Sequence, residues 1–277
     1  MGRCKYCGQD AGFLRGKHKE CENRHQAALK RLPGLAMKLM EQGASSADAL
    51  RELRREIDDN YVGMDPAPFL AQGWGLLLDK FMEDDIVLTD AEDKALLEAK
   101  DRHGLTPEAI GRPWLKRVQS IILGQIINGA PPTGASGVDW SGHPFVLSKG
   151  EYVVWGWSNV KAYEERTQRT YEGRTQGVSI RIMRGVSYRI GGFKGHPIDT
   201  EYQHPLGVGV MVATNKALMW SGGKSLKAPW KKIIAVQAFS DGLGVHLDGR
   251  VKPLLFVAGE GEGWFLKALA ENMPTLA

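Results

Sequence analysis

Between Phe145 and Leu269 apolar and polar residues alternate in short runs. Side chains on a strand point to opposite faces with a period of two, so such a stretch is built for β-structure. Val178 to Met183 and Val186 to Ile190 read as two strands turning at Arg184-Gly185, and Val208 to Gly222 as a hairpin turning at Asn215-Lys216. Ile233 to Phe239, Val245 to Leu247 and Leu254 to Val257 supply further short strands. The run from Gly263 to Met273 changes period: Trp264, Leu266, Ala268, Leu269 and Met273 fall where one helical face can plug a sheet.

With 277 residues the chain has room for two or three units that each bury a core. No apolar run approaches the roughly 20 residues needed to span a bilayer, and Met1 leads into charged, Cys-containing sequence rather than an apolar signal core. A cytoplasmic protein is expected. All three cysteines precede residue 22, which suits metal thiolates better than disulfides. Charge is uneven: residues 1–31 carry 8 Lys/Arg against 3 Asp/Glu, residues 32–137 carry 11 against 17, and residues 138–277 carry 17 against 12. Two basic ends flank an acidic middle, which either neutralise one another or leave a basic surface for an anionic partner.

The first basic segment, residues 1–31, holds Cys4-Lys-Tyr-Cys7-Gly8 and then His18-Lys-Glu-Cys21, with His25 four positions on. Zinc takes four tetrahedral N/S ligands, and a tight knuckle supplies two while a helix start supplies two more. Cys4, Cys7, His18 and Cys21 are the expected ligands of a structural Zn²⁺ in a treble-clef-like arrangement, with His25 the alternative to His18. So short a segment has little core, so metal binding supplies its folding energy.

Residues 32–128 read as a small helical bundle. Leu29 to Met40 is helical with a break at Pro33-Gly34. Gly43 to Ala47 offers a cap for a helix from Ala47 to Asp58. Further helices follow over Pro68 to Leu78, Asp90 to His103, beyond Thr106, and Trp114 to Asn128. Thr89-Asp90 with Asp93 gives a capping pattern. Glu83-Asp84-Asp85 lacks the alternating oxygens and central Gly of a calcium loop, and is expected to be a solvated helix end. Residues 129–144, rich in Pro, Gly and Ser, form a linker to a second half at 145–277. There Tyr152 to Ser158 makes a first strand, and the charged run Tyr163 to Tyr171 an edge strand or extended arm.

Several of these features together resemble a bacterial pleckstrin-homology-like (GRAM-like) domain: Lys149-Gly150-Glu151, Gly177 to Ile182 with Tyr188 to Gly191, Gly209 to Gly222, Lys224 to Pro229, Lys231 to Ile234 and the closing helix. That resemblance implies a seven-stranded bent sheet or open barrel capped by one α-helix. The order of acidic turn, capped helix and Arg102 to Thr106 is similar to tellurite-resistance-B-like bundles. The expected fold class is therefore multidomain α+β: knuckle, helical bundle and pleckstrin-homology-like domain. Joined in this way, the chain looks like an uncharacterised bacterial family of unassigned activity. Domains of this kind bind phosphoinositides, peptides or nothing known. Arg181, Arg184, Arg189, Lys194, Lys224, Lys227, Lys231 and Lys232 are the candidate anion or partner surface, although alternating Arg on a hairpin is also an ordinary solvated face.

No catalytic centre is expected. Gly223-Lys224-Ser225 lacks the earlier glycine of a phosphate loop, because Leu218 occupies it. His143, His196, His204 and His246 have no acid at motif spacing. The expected function is a non-enzymatic adaptor whose pleckstrin-homology-like surface binds another protein, with no small-molecule substrate. The alternatives are nucleic-acid binding through Arg3, Lys5, Arg15, Lys17, Lys19 and Arg24, with Tyr6 or Phe13 stacking on bases, and anionic-membrane binding through Lys224 to Lys232.

Overall fold

The computed structural model describes residues 2–12, 15–132, 144–175, 178–183, 186–190 and 193–275, with backbone alone over 168–199 and at 275. Two compact units divide the chain, Met1–Ala135 and Ser136–Ala277.

In the first unit α1 (Lys19–Glu41), α2 (Ser46–Asp59), α3 (Ala67–Phe81), α4 (Asp90–Arg102), α5 (Pro107–Ile110) and α6 (Arg112–Ile127) follow one another. Capping residues set several starts. The Ser45 hydroxyl accepts the Asp48 N–H at 3.2 Å. Thr89 closes a capping box, in which Glu92 rather than the expected Asp93 reaches back to the cap N–H at 2.8 Å. The box requires the third helical position, which Glu92 occupies. Asp93 lies one residue further round and pairs with Arg117 of α6 at 2.5 Å. Pro33 does not break α1, which runs through it as one 23-residue helix. Only the Pro33 N–H is missing from the ladder, and Leu32 and Ala36 on either side are buried in the bundle core. The expected boundary between residues 31 and 32 thus falls inside one helix.

Leu32, Leu53, Ile57, Leu70, Trp74, Leu78 and Leu96 fill that core. Trp74 is fully buried, and its Nε1–H donates to the Leu96 carbonyl at 2.9 Å, which removes the penalty of an unpaired indole donor. α1 and α3 approach closely at Gly73, where an added Cβ would sit 2.6 Å from the Ala36 Cβ.

The second unit is a seven-stranded antiparallel sheet of order β6-β5-β4-β1-β9-β8-β7. Its strands are β1 (Val153–Thr175), β4 (Phe193–Thr214), β5 (Ala217–Ser221), β6 (Ser225–Pro229), β7 (Ile233–Phe239), β8 (Gly242–Leu247) and β9 (Leu254–Val257). The expected hairpin of β2 (Val178–Met183) and β3 (Val186–Ile190) is a separate two-stranded sheet, so it supplies none of the seven. The charged run Tyr163 to Tyr171, expected as an edge strand or extended arm, continues β1: it pairs with Pro205 to Pro197 of β4 on one side, while β9 reaches only to Glu164 on the other, so beyond Glu164 β1 and β4 run on as a two-stranded arm. Alternation marks both segments as strands but says nothing about which strand is the neighbour.

Six strand spacings in a flat sheet would separate β6 from β7 by roughly 29 Å. The chain between them is a 3₁₀ turn, Trp230–Lys232, and the four steps from Pro229 to Ile233 span at most about 14 Å. The sheet is therefore curled, and irregular pairing in β1 between Trp157 and Val160 helps it bend. Asn159 sits there with φ 58°. With β2 and β3 set aside, two antiparallel meanders share the first strand, the topology of a pleckstrin-homology-like domain. α7 (Gly263–Asn272) closes it. Phe265 is the fully buried plug, 5.4 Å from Trp155 in an edge-on contact, whereas Trp264, expected on that face, is half-buried. Glu262 precedes α7 without capping it and accepts the Trp157 indole N–H at 2.9 Å instead.

Candidate metal centre and basic surfaces

The knuckle is shaped by its backbone. Cys4 N–H donates to the Gln9 carbonyl at 2.7 Å and Gly8 N–H to the Cys4 carbonyl at 2.9 Å. Gly8 has φ 73°, a left-handed conformation that glycine adopts without a Cβ penalty. This turn aims Cys4 and Cys7 at the start of α1, where His18 and Cys21 stand.

The donor atoms of Cys4, Cys7, His18 and Cys21 all lie within 4.8 Å of one another. His18 Nδ1 is 3.4 Å from Cys7 Sγ and 3.7 Å from Cys21 Sγ. Tetrahedral zinc with bonds of about 2.3 Å to sulfur and 2.0–2.1 Å to nitrogen needs ligand separations of roughly 3.5–3.8 Å, so the four residues fit the ion. His18 Nε2 lies 2.9 Å from the Asp10 carbonyl. Donation there leaves Nδ1 bare and facing the sulfurs, the tautomer a metal requires. Burial acts to raise the Cys4 thiol, but backbone N–H groups of Cys7, His18 and Tyr6 outweigh it and hold Cys4 down to about 6. Cys21 is pushed up to about 11 by burial and by the neighbouring Cys7 and Cys4 sulfurs. Three thiols crowded together resist joint ionisation, and a dication relieves that repulsion.

His25 stands outside the cluster. Its Nδ1–H donates to the Tyr61 carbonyl at 2.9 Å, and its ring lies 4.9 Å from the Tyr6 ring. The side chain that competed with His18 on spacing therefore pins the knuckle to the end of α2. Arg24, an expected phosphate contact, donates to the Asp59 carbonyl at 2.7 Å. Arg15, Lys17 and Lys19 line an open cleft of about 570 Å³ with Gly16 and Glu22, in which Lys17 is paired with the Glu22 carboxylate. Arg3 and Lys5 are exposed, with Lys5 over the Tyr6 ring. Phe13 falls outside the described residues.

Of the candidate anion surface, Arg184 lies outside the described residues, and for Arg181, Arg189 and Lys194 only the backbone is described. Lys224, Lys231 and Lys232 are exposed. Lys227 is exposed as well but is already paired: its Nζ lies 3.2 Å from both carboxylate oxygens of buried Glu151. Glu151 also accepts from Thr214 Oγ1 at 2.8 Å and from the Ser148 N–H at 3.0 Å. Burial works to raise the Glu151 carboxyl, and these donors with Lys227 bring it below the usual carboxylate range. The Lys149-Gly150-Glu151 turn marked the domain start without indicating that Glu151, itself buried, would pair with the exposed Lys227.

No family model matches the chain, and no curated protein matches it. Among solved structures, one of the PH and C1 domains of the Vav1 exchange factor is similar at 10% identity over 91% of this chain, with a TM-score of 0.19. This chain spans 62% of the length of that one. At that TM-score the likeness carries no structural argument, and the fold rests on strand order. Among the described residues no helix is long and apolar enough to cross a membrane.

Proposed function

We propose that the chain is a non-enzymatic interaction protein in which a structural zinc ion, held by Cys4, Cys7, His18 and Cys21, folds the knuckle, while the pleckstrin-homology-like unit presents a docking edge to a protein partner. Three thiolates suit the reducing cytoplasm. The GRAM-like and tellurite-resistance-B-like relationships belong to this reading and rest on sequence resemblance. One observation carries the docking role: β7 is an edge strand of seven uncharged residues, and Ile234 and Phe239 on it are exposed. Unpaired backbone groups on such an edge accept an added strand. Capture from native lysate should recover a stoichiometric protein, and the I234K/A238K variant should lose it. Purified protein should contain equimolar zinc. Recovery of the same material by both forms would count against the edge, and metal-free protein with an ordered knuckle against the zinc.

The cleft that Arg15 and Lys19 line supports a second reading, phosphate contact with nucleic acid. A labelled single strand titrated at rising salt tests it, since affinity carried by phosphate contacts falls steeply with ionic strength.

A further inference from the structure

The arm that β1 and β4 form beyond Glu164 ends in a segment of one charge sign. At the rise of a strand, Glu165 to Thr175 reach about 36 Å past the last pairing with β9. Along the stem the register sets acids across from bases: Arg169 stands opposite Asp199, and Glu172 opposite His196. The matching stops there. Arg174 stands opposite Lys194, a like-charge cross-strand pair of the kind that destabilises a sheet. From Gly173 to Ile198 the sequence has no Asp or Glu, and Arg181 and Arg189 fall there in the hairpin of β2 and β3. In that hairpin Ser179 pairs with Arg189 and Arg181 with Ser187, so both arginine positions share one face, while Val178, Ile180, Tyr188 and Ile190 share the other.

We propose that the end of this arm binds single-stranded nucleic acid, with Arg174, Arg181, Arg189 and Lys194 as phosphate contacts and Tyr188 and Phe193 as surfaces on which bases stack. This surface is independent of the β7 edge and of the cleft that Arg15 and Lys19 line. A run of cations with no acid among them is the electrostatic footprint of a protein that takes a polyanion. A phosphate between Arg174 and Lys194 relieves the repulsion that their register imposes, and guanidinium forks match phosphate geometry. The two unlike faces of the hairpin select the kind of polyanion. A duplex or a bilayer meets a narrow ribbon from one side and takes either the arginine positions or the apolar ones. A flexible single strand reaches both faces, so that its phosphates meet one and its bases the other, the combination of cations and aromatic surface on which such strands are held.

Fluorescence anisotropy of a labelled oligothymidine strand, titrated with the full-length, zinc-loaded chain at several salt concentrations, tests this. Wild type should bind, with log affinity falling linearly against log salt concentration. R181Q/R189Q should weaken binding by about tenfold or more near about 0.1 M salt and make that slope shallower by about 1.4, since each phosphate contact on a single strand contributes about 0.7. R181K/R189K keeps both charges and should keep the slope. Y188A should weaken binding by about fivefold or more with the slope unchanged, because it removes stacking rather than charge. Absence of binding at low salt, a slope that R181Q/R189Q leaves unchanged, or an equal loss in R181K/R189K overturns the proposal. R15A/K19A addresses the cleft alone, so binding abolished by that variant and untouched by the arm variants overturns the arm and leaves the cleft reading standing. Sedimentation with phosphatidylserine vesicles, without binding of the strand, assigns the arm to a membrane surface and likewise overturns it.

Discussion

The knuckle and the sheet unit reach order by different routes. Among described residues 2–18 only Cys4 and Ala11 are buried apolar side chains, so the segment depends on its donor cluster and a few backbone bonds. In the sheet unit Trp155, Trp157, Trp220, Trp230 and Phe265 are buried. The indole N–H of Trp220 donates to the Val160 carbonyl at 3.0 Å, and that of Trp230 to the Thr214 carbonyl at 2.7 Å. One region is fastened at a point and the other over an area, so they should fail under different treatments.

Removing the fastening should have the largest effect. Zinc chelation, or Cys7→Ala, should unfold residues 2–18 while leaving the sheet unit intact, because zinc contributes on the order of 10 kcal/mol to the folding of such small sites. Amide exchange by region, read beside zinc content, checks it; equal loss of protection in both units would break the comparison. Phe265→Ala is the converse experiment. Emptying this site should destabilise the sheet unit by about 3–5 kcal/mol in denaturant titrations with zinc content unchanged.

His103 gives a smaller effect and a third kind of dependence. It caps the end of α4, is buried, and neither ring nitrogen has a hydrogen-bond partner among the described residues. Burial, and then the Arg102 charge, lower its pKa from 6.5. A base depressed in the folded state binds protons better unfolded, so its contribution is complete above pH 6.5 and is lost as pH falls toward the folded value. Stability of the helical unit should therefore decline on acidification below pH 6.5, and His103→Leu should flatten that decline in pH-dependent melting.

Local chemistry was legible in the sequence, and partnership was less so. The x2 spacings and the Gly after Cys7 located the cluster of candidate metal donors, because a knuckle and a helix start are each encoded within a few residues. Choosing His18 over His25 took three dimensions, since the decisive groups are carbonyls of Asp10 and Tyr61, and a backbone carbonyl leaves no signature in residue type. Alternation revealed strands, yet Tyr163 to Tyr171 pair with Pro205 to Pro197, 42 to 26 residues away in sequence, and the hairpin at 178–190 looked as sheet-like as the true members. Lys227 is the surface charge it read as, but its pairing was hidden because its partner Glu151 lies 76 residues earlier. Pro33 was given too much weight, since burial of Leu32 and Ala36 outweighs one absent donor.

α1 also has a mechanical consequence for the first unit. It begins beside two of the candidate metal donors, and its later turns carry Ala36 against Gly73, so about 23 Å of helix joins Cys21 to that contact in the interior of the bundle. Oxidation of one sulfur would loosen the near end of that lever and change the seating of the far end. The redox history of the knuckle would then be readable as a change in the environment of Trp74, one residue beyond the crossing.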